Sequence, residues 1–206
     1  MITLHRAPFS TNVERVALAL AHKGLEVESV VIDKEDRSPV EQVSGQGLVP
    51  VIVDVDDTVV VDSTRILRHL DQRYPEPPLF PADPTRRAEM DLFLDWFNEL
   101  WKLAPNNIEL LLTEEEPDRE AIEYEARRMT DALDLFEGML AGRDYLMGDS
   151  PSAADFAAFP FVKYARIPPD PEDEELYHRI LGLHQSTDGH PRLAAWIERI
   201  DALPRA

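Results

Sequence analysis

The sequence contains no cysteine. That absence excludes disulfide staples, thiolate zinc sites, iron–sulfur ligation and a protein-thiol nucleophile together, yet leaves the chain able to use a thiol that a ligand brings. Positive charge is scarce: 21 Lys and Arg face 40 Asp and Glu over 206 residues, a formal net charge of −19. A field of that sign repels phosphate backbones and anionic lipid, and no basic cluster offsets it, so neither nucleic acid nor a membrane surface is an expected partner. Long apolar runs are missing too. No stretch reaches the roughly 20 residues that a bilayer span needs. Met1-Ile2-Thr3-Leu4-His5-Arg6 has neither the basic flank nor the apolar block of a secretory leader, which makes the cytoplasm the expected compartment.

What is present is apolar enough to fold: 44% of the residues are hydrophobic, sufficient for one large domain or two modest ones. Up to about residue 75 short β-rich runs alternate with helical stretches, the pattern of α/β layering. Ile2 to His5 reads as a strand, and Val13, Val16, Ala17, Leu20 and Ala21 recur at helical spacing until Gly24. Val27 to Ile32 is a second strand, and the polar stretch from Asp33 to Gly47 is loop with room for one short helix. Val49 to Val53 and Thr58 to Val61 form a hairpin with a carboxylate-rich turn, after which Asp62-Ser63 caps a helix with Ile66, Leu67 and Leu70 inward. The prolines between Tyr74 and Pro81 predict a stiff linker, so the domains are expected at 1–75 and 84–206, joined by 76–83.

The second part reads as all-helical. Pro84 opens a run with Met90, Leu94, Phe97 and Trp101 on one face, widened by Phe93 and Leu100. Ile122, Met129, Leu133, Phe136 and Leu140 mark a second long helix, Ser152 with Asp155 fits a capping box, and Leu193, Trp196 and Ile200 mark the last helix. Asp155→Ala is expected to lower stability by roughly 1 kcal/mol or more through the lost cap. The six histidines share no three- or four-residue spacing, and the acidic runs at 114–116 and 172–175 lack a calcium-loop glycine pattern, so no metal is expected.

Four segments carry a resemblance to the cytosolic glutathione transferase superfamily: Ser10 to Val16, Gly47 to Val51, Asp62 to Leu70, and Gly148 to Phe156. It covers essentially the whole chain and implies a thioredoxin-like N-terminal domain, an all-helical C-terminal domain and a homodimer. It further implies that Val49-Pro50 is a cis peptide facing the cysteinyl part of glutathione, and that Asp62-Ser63 receives the γ-glutamyl end. Ser10 takes the place of the catalytic hydroxyl of the serine-type classes. The chemistry asks for a donor rather than a nucleophile there, because a hydroxyl hydrogen bond and a helix N-terminus both favour thiolate over thiol. Thr11 and Asn12 are neighbouring candidates for the same role.

Leu48 departs from the family pattern, in which a polar or basic side chain just before Val-Pro often holds the glycyl carboxylate; Arg37 and Gln46 are the candidates to replace it. Phe9, Trp101 and Tyr164 are the candidate walls of a pocket for an apolar electrophile, with Trp96 and Phe97 as alternatives. The resemblance thus implies a glutathione transferase with glutathione as co-substrate, open to conjugation, peroxide reduction or dehalogenation. The alternative is a non-catalytic scaffold or ligand carrier of the same fold.

Overall fold

A computed structural model describes residues 1–206, which divide into two compact units, Met1–Arg87 with Leu203–Ala206, and Ala88–Ala202. The first unit is built from β1 (Ile2–Arg6), α1 (Thr11–His22), β2 (Val27–Val31), α2 (Ser38–Ser44), β3 (Val51–Val53), β4 (Val59–Val61) and α3 (Ser63–Arg73). The strand order is β2-β1-β3-β4, with β1 parallel to β2 and the other two pairings antiparallel. In the register, Leu4 faces Ile52 and Ile52 faces Val60, while His5 faces Val51 and Val51 faces Val61. Neighbours on a strand point to opposite faces, and Val51 and Ile52 are both fully buried, so both faces of the sheet are covered. On the Val51 face the cover includes Val40 of α2, in a cluster with Ile32.

The short helix in the polar stretch is α2, which has Pro39 in its first turn and is capped by Gly45, whose φ of 74° is left-handed. The hairpin turn is more than a solvated loop. Asp54 is buried, its Oδ1 accepting from Tyr74 Oη at 2.5 Å and from the Val55 amide at 2.7 Å, with His69 Nε2 2.6 Å from Oδ2. Burial alone would raise the Asp54 carboxyl, but these bonds outweigh it and hold it below the ordinary carboxylate value. Burial, then the bond to Asp54, push the Tyr74 phenol up to about 12.

The proline-rich stretch expected as a stiff linker packs into the first unit. Leu79 and Phe80 are buried, the Leu79 amide donates to Asp71, and Arg68 and Arg87 lie over the Phe80 ring. Lys23 Nζ, itself buried, donates to the carbonyls of Tyr74 and Pro77 at 2.5 and 2.8 Å. Backbone carbonyls in a proline run have few amide partners nearby, and a buried ammonium with three donors fills that need. The last residues also belong to this unit: Arg205 pairs with Glu14, the Ala206 amide donates to Ala17 O, and Arg6 donates to Ala206 O.

The second unit is helical. The expected long helix from Pro84 divides into α4 (Pro84–Trp96), a π-helical turn at Phe97–Trp101 and α5 (Leu103–Leu111). In that wider turn Leu100, expected inward, is 51% exposed, whereas Phe97 and Trp101 stay buried and stack at 4.7 Å. Then come α6 (Arg119–Met139), α7 (Ala153–Val162), a 3₁₀ turn at Lys163–Ala165, α8 (Leu176–Leu183) and α9 (Pro191–Asp201). Every residue of α7 is buried, as its near-absence of polar side chains requires. Asp155, also fully buried, is its one polar side chain. Its Oδ2 accepts from the Ser152 amide and hydroxyl, completing the capping box, and its Oδ1 accepts from the Leu146 amide and Trp196 Nε1. No helix is long and apolar enough to cross a membrane.

Candidate active site

The sheet register sets the site. Because His5, Val51 and Val61 lie side by side, the C-terminal ends of β1 and β4 and the N-terminal end of β3 share one edge of the sheet. From that edge emerge the loop to Ser10, the Val49-Pro50 turn and the Asp62-Ser63 pair, and two helices begin there. Open α/β sheets bind ligands at such strand ends, where helix N-termini supply unpaired amides and a positive potential.

Ser10 is the N-cap of α1, and its Oγ accepts from the Val13 amide at 3.4 Å. An acceptor bond uses a lone pair and leaves the hydroxyl proton to be given away. Ser10 is half-buried, Thr11 behind it is buried, and Phe9 before it is 42% exposed with φ 58°. A bulky residue in the left-handed region is strained, and here it directs the chain into the cap. The Val49-Pro50 peptide is cis.

At the second helix Asp62 adopts φ 72° and caps α3, its Oδ1 accepting from the Arg65 amide at 2.9 Å. Ser63 is buried, and its Oγ accepts from Arg15 Nη1 at 3.2 Å and donates toward Asn12 Oδ1 at 3.5 Å. Arg15 belongs to the Ser10-to-Val16 segment that carries the family resemblance, but sequence reading gives it no role in the site. It is 1% exposed although it directly follows Glu14, and its one signal in the sequence is its place in that segment. Thus α1 and α3 are joined at their N-terminal ends through a buried polar cluster of Asn12, Arg15 and Ser63.

The candidates for the glycyl carboxylate fare differently. Leu48 is 78% exposed. The Gln46 amide is spent on its own loop, accepting from the Leu48 amide at 2.6 Å and donating to Leu48 O and Ser44 Oγ, both at 3.0 Å. Arg37 sits at the N-cap of α2 with its stem along Gly47, where an added Cβ would lie 3.5 Å from Arg37 Cβ. Of the proposed electrophile walls, Phe9 lies in the first unit, whereas Trp101 and Tyr164 lie in the second. There Trp101 is buried against Phe97 and borders a cavity of about 300 Å³ with Trp96, Leu100 and Arg128, and Tyr164 is buried and stacked on His178 at 5.3 Å. No group of three or more His, Asp or Glu side chains is placed to hold a metal ion.

Residues 4–78 match the model of the glutathione S-transferase N-terminal domain, and residues 119–199 that of the C-terminal domain. Glutathione S-transferase GstB of Escherichia coli is 30% identical over 170 residues, 79% of this chain and 82% of that one. The chain belongs to the glutathione S-transferase family. Mouse glutathione S-transferase omega-1 is 28% identical over 79% of this transferase-family chain, which spans 66% of the mouse protein. FtsZ-localized protein A of Caulobacter vibrioides is 30% identical over 76% of this chain and 73% of that one. Among solved structures, a glutathione S-transferase from Methylobacillus flagellatus with glutathione bound superposes with a TM-score of 0.77, covering 97% of this chain and 94% of its own at 21% identity. The glutathione S-transferase fold is therefore the thioredoxin-like N-terminal domain and helical C-terminal domain described above. Glutathione is the substrate the family uses.

Proposed function

We propose that this protein is a serine-type glutathione transferase, in which the Ser10 hydroxyl holds bound glutathione as thiolate for attack on a small apolar electrophile. The observation that carries the reading is Ser10 at the N-cap of α1, its lone pair bound to the Val13 amide and its proton left to donate. A hydroxyl donor and the positive end of α1 both favour the charged sulfur. Lowering a thiol of pKa ~8.5 by about two units is worth ~2.7 kcal/mol and makes thiolate abundant at neutral pH. In this reading Val49 and Pro50 face the cysteinyl part, Asp62 meets the ammonium, and Ser63 with the α3 N-terminus meets the γ-glutamyl carboxylate. With Gln46 spent on its loop, Arg37 is assigned the glycyl carboxylate. Phe9 is the proposed electrophile-wall residue of the first unit. Conjugation, peroxide reduction and dehalogenation all start from the same thiolate.

A homodimer in the cytoplasm belongs to the same proposal, supported by the exposure of Leu92, Leu103, Leu110 and Leu135 on the helical unit. One observation favours a second reading, a non-catalytic scaffold. Leu48 is exposed where relatives hold an anion, on a chain of net charge −19, and one relative is named for localisation with FtsZ rather than for catalysis. Titration with glutathione at neutral pH, followed by ultraviolet difference spectroscopy, separates the two. A saturable thiolate band is the expected result; saturable binding without the band points to a carrier, and no binding at millimolar glutathione points to the scaffold.

A further inference from the structure

A serine hydroxyl at a carboxylate site has to donate, yet a hydroxyl is free to turn and accept instead. The cluster behind α3 restricts that freedom by taking one of the two lone pairs. Arg15 carries only donors and stays protonated at any working pH, and its Nη1 places a proton on Ser63 Oγ at 3.2 Å. With that lone pair engaged, the Ser63 proton points toward Asn12 Oδ1, and the separation of 3.5 Å makes this a weak hold that a better acceptor displaces. Next to it, the Ser63 amide lies in the first turn of α3, where amides have no partner within the helix. We propose that Arg15 is a positioning residue which fixes Ser63 as a donor, so that the N-terminus of α3 presents donors only and selects a carboxylate over a carboxamide. A carboxylate offers two acceptor oxygens to such a pair; a carboxamide offers one and turns its NH₂ against the other donor. The guanidinium, 1% exposed, also brings a positive charge to a place where a strongly acidic protein has to hold an anion.

The inference rests on the glutathione reading, and the test keeps the two apart. Dissociation constants are measured calorimetrically for glutathione and for its analogue with the γ-glutamyl α-carboxylate converted to the carboxamide, in the wild type, Arg15→Met and Arg15→Lys. The wild type should prefer glutathione by about tenfold or more, since buried donors facing an NH₂ go unpaired. In Arg15→Met the hydroxyl can turn to accept, so the preference should fall to about twofold while glutathione itself weakens. Equal affinity of the wild type for both ligands overturns the proposal without any variant. Equal weakening of both ligands in Arg15→Met also overturns it, because that is what a merely structural arginine predicts. Should Arg15→Met not fold, Arg15→Lys, which also carries only donors, should keep the preference, and a preference reduced to about twofold in an Arg15→Lys variant that binds glutathione as tightly as wild type overturns the proposal. A wild type that binds neither ligand refutes the glutathione reading itself.

Discussion

At the scale of single residues, the site is a matter of which lone pairs and protons are already committed. Ser10 spends a lone pair on the Val13 amide and keeps its proton, so Ser10→Ala removes a donor without opening a cavity. We expect Ser10→Ala to lower turnover about 10- to 100-fold at saturating glutathione, with the glutathione dissociation constant changed only a few-fold and stability lowered by about 1 kcal/mol through the lost cap. Steady-state kinetics beside calorimetry checks this, and unchanged turnover would pass the donor role to Thr11 or to a backbone amide. The Ser10 cap and the Asp62 cap were legible in the sequence because caps are local: a short polar side chain precedes an apolar helical period. The burial of Arg15 and the contacts of Gln46 were not legible. Arg15 is buried by contacts with residues about fifty positions away, and Gln46 turns back on Leu48 in a loop whose geometry no periodicity encodes.

At the scale of elements, two polar knots fix the architecture. The β3–β4 hairpin is clasped to α3 by Asp54, His69 and Tyr74, and the Tyr74 phenol is held near 12. An ordinary tyrosine loses its proton near 10, so between pH 10 and 12 the folded chain retains a proton that the unfolded chain has released, and stability falls across that window. Spectrophotometric titration should find a tyrosine phase centred near pH 12, and Tyr74→Phe should abolish it. Asp54 works in the opposite direction: its contribution is complete above about pH 4 and fades as acid protonates it. In the helical unit the expected cap of Ser152 and Asp155 proves larger than its sequence signature. The Leu146 amide and Trp196 Nε1 join from outside the motif. Asp155→Ala therefore leaves four buried donors unmet, and we expect a loss of roughly 3 kcal/mol or more by denaturant unfolding, well above the 1 kcal/mol of a simple cap. The succession of strands and helices and the helical run after Pro84 were readable from period, but the sheet order and the π-helical turn at Phe97–Trp101 were not, since Phe97 and Trp101 keep a four-residue spacing that an unbroken α-helix shares.

At the scale of the whole molecule, the −19 charge acts on every anion that approaches. Repulsion reaches over a Debye length of about 10 Å at 0.1 M salt, whereas contacts inside the site are too short to be screened to the same degree. The association rate for glutathione should therefore rise with added salt, the reverse of a site on a basic protein, and stopped-flow measurements at low and high ionic strength will read it. A rate that falls with salt would mean that local cations dominate the approach.

The threading of the chain has a practical outcome. The first unit is discontinuous, leaving at Arg87 and regaining Leu203–Ala206, so the helical unit is an insertion within it. Excision of residues 1–87 as a stand-alone fragment strips Glu14 of Arg205 and takes Ala206 away from both Ala17 O and Arg6. A circular permutant that joins 203–206 ahead of Met1 through a short glycine-rich tether is expected to be the more stable form of this unit, and denaturant unfolding of the two fragments side by side checks it.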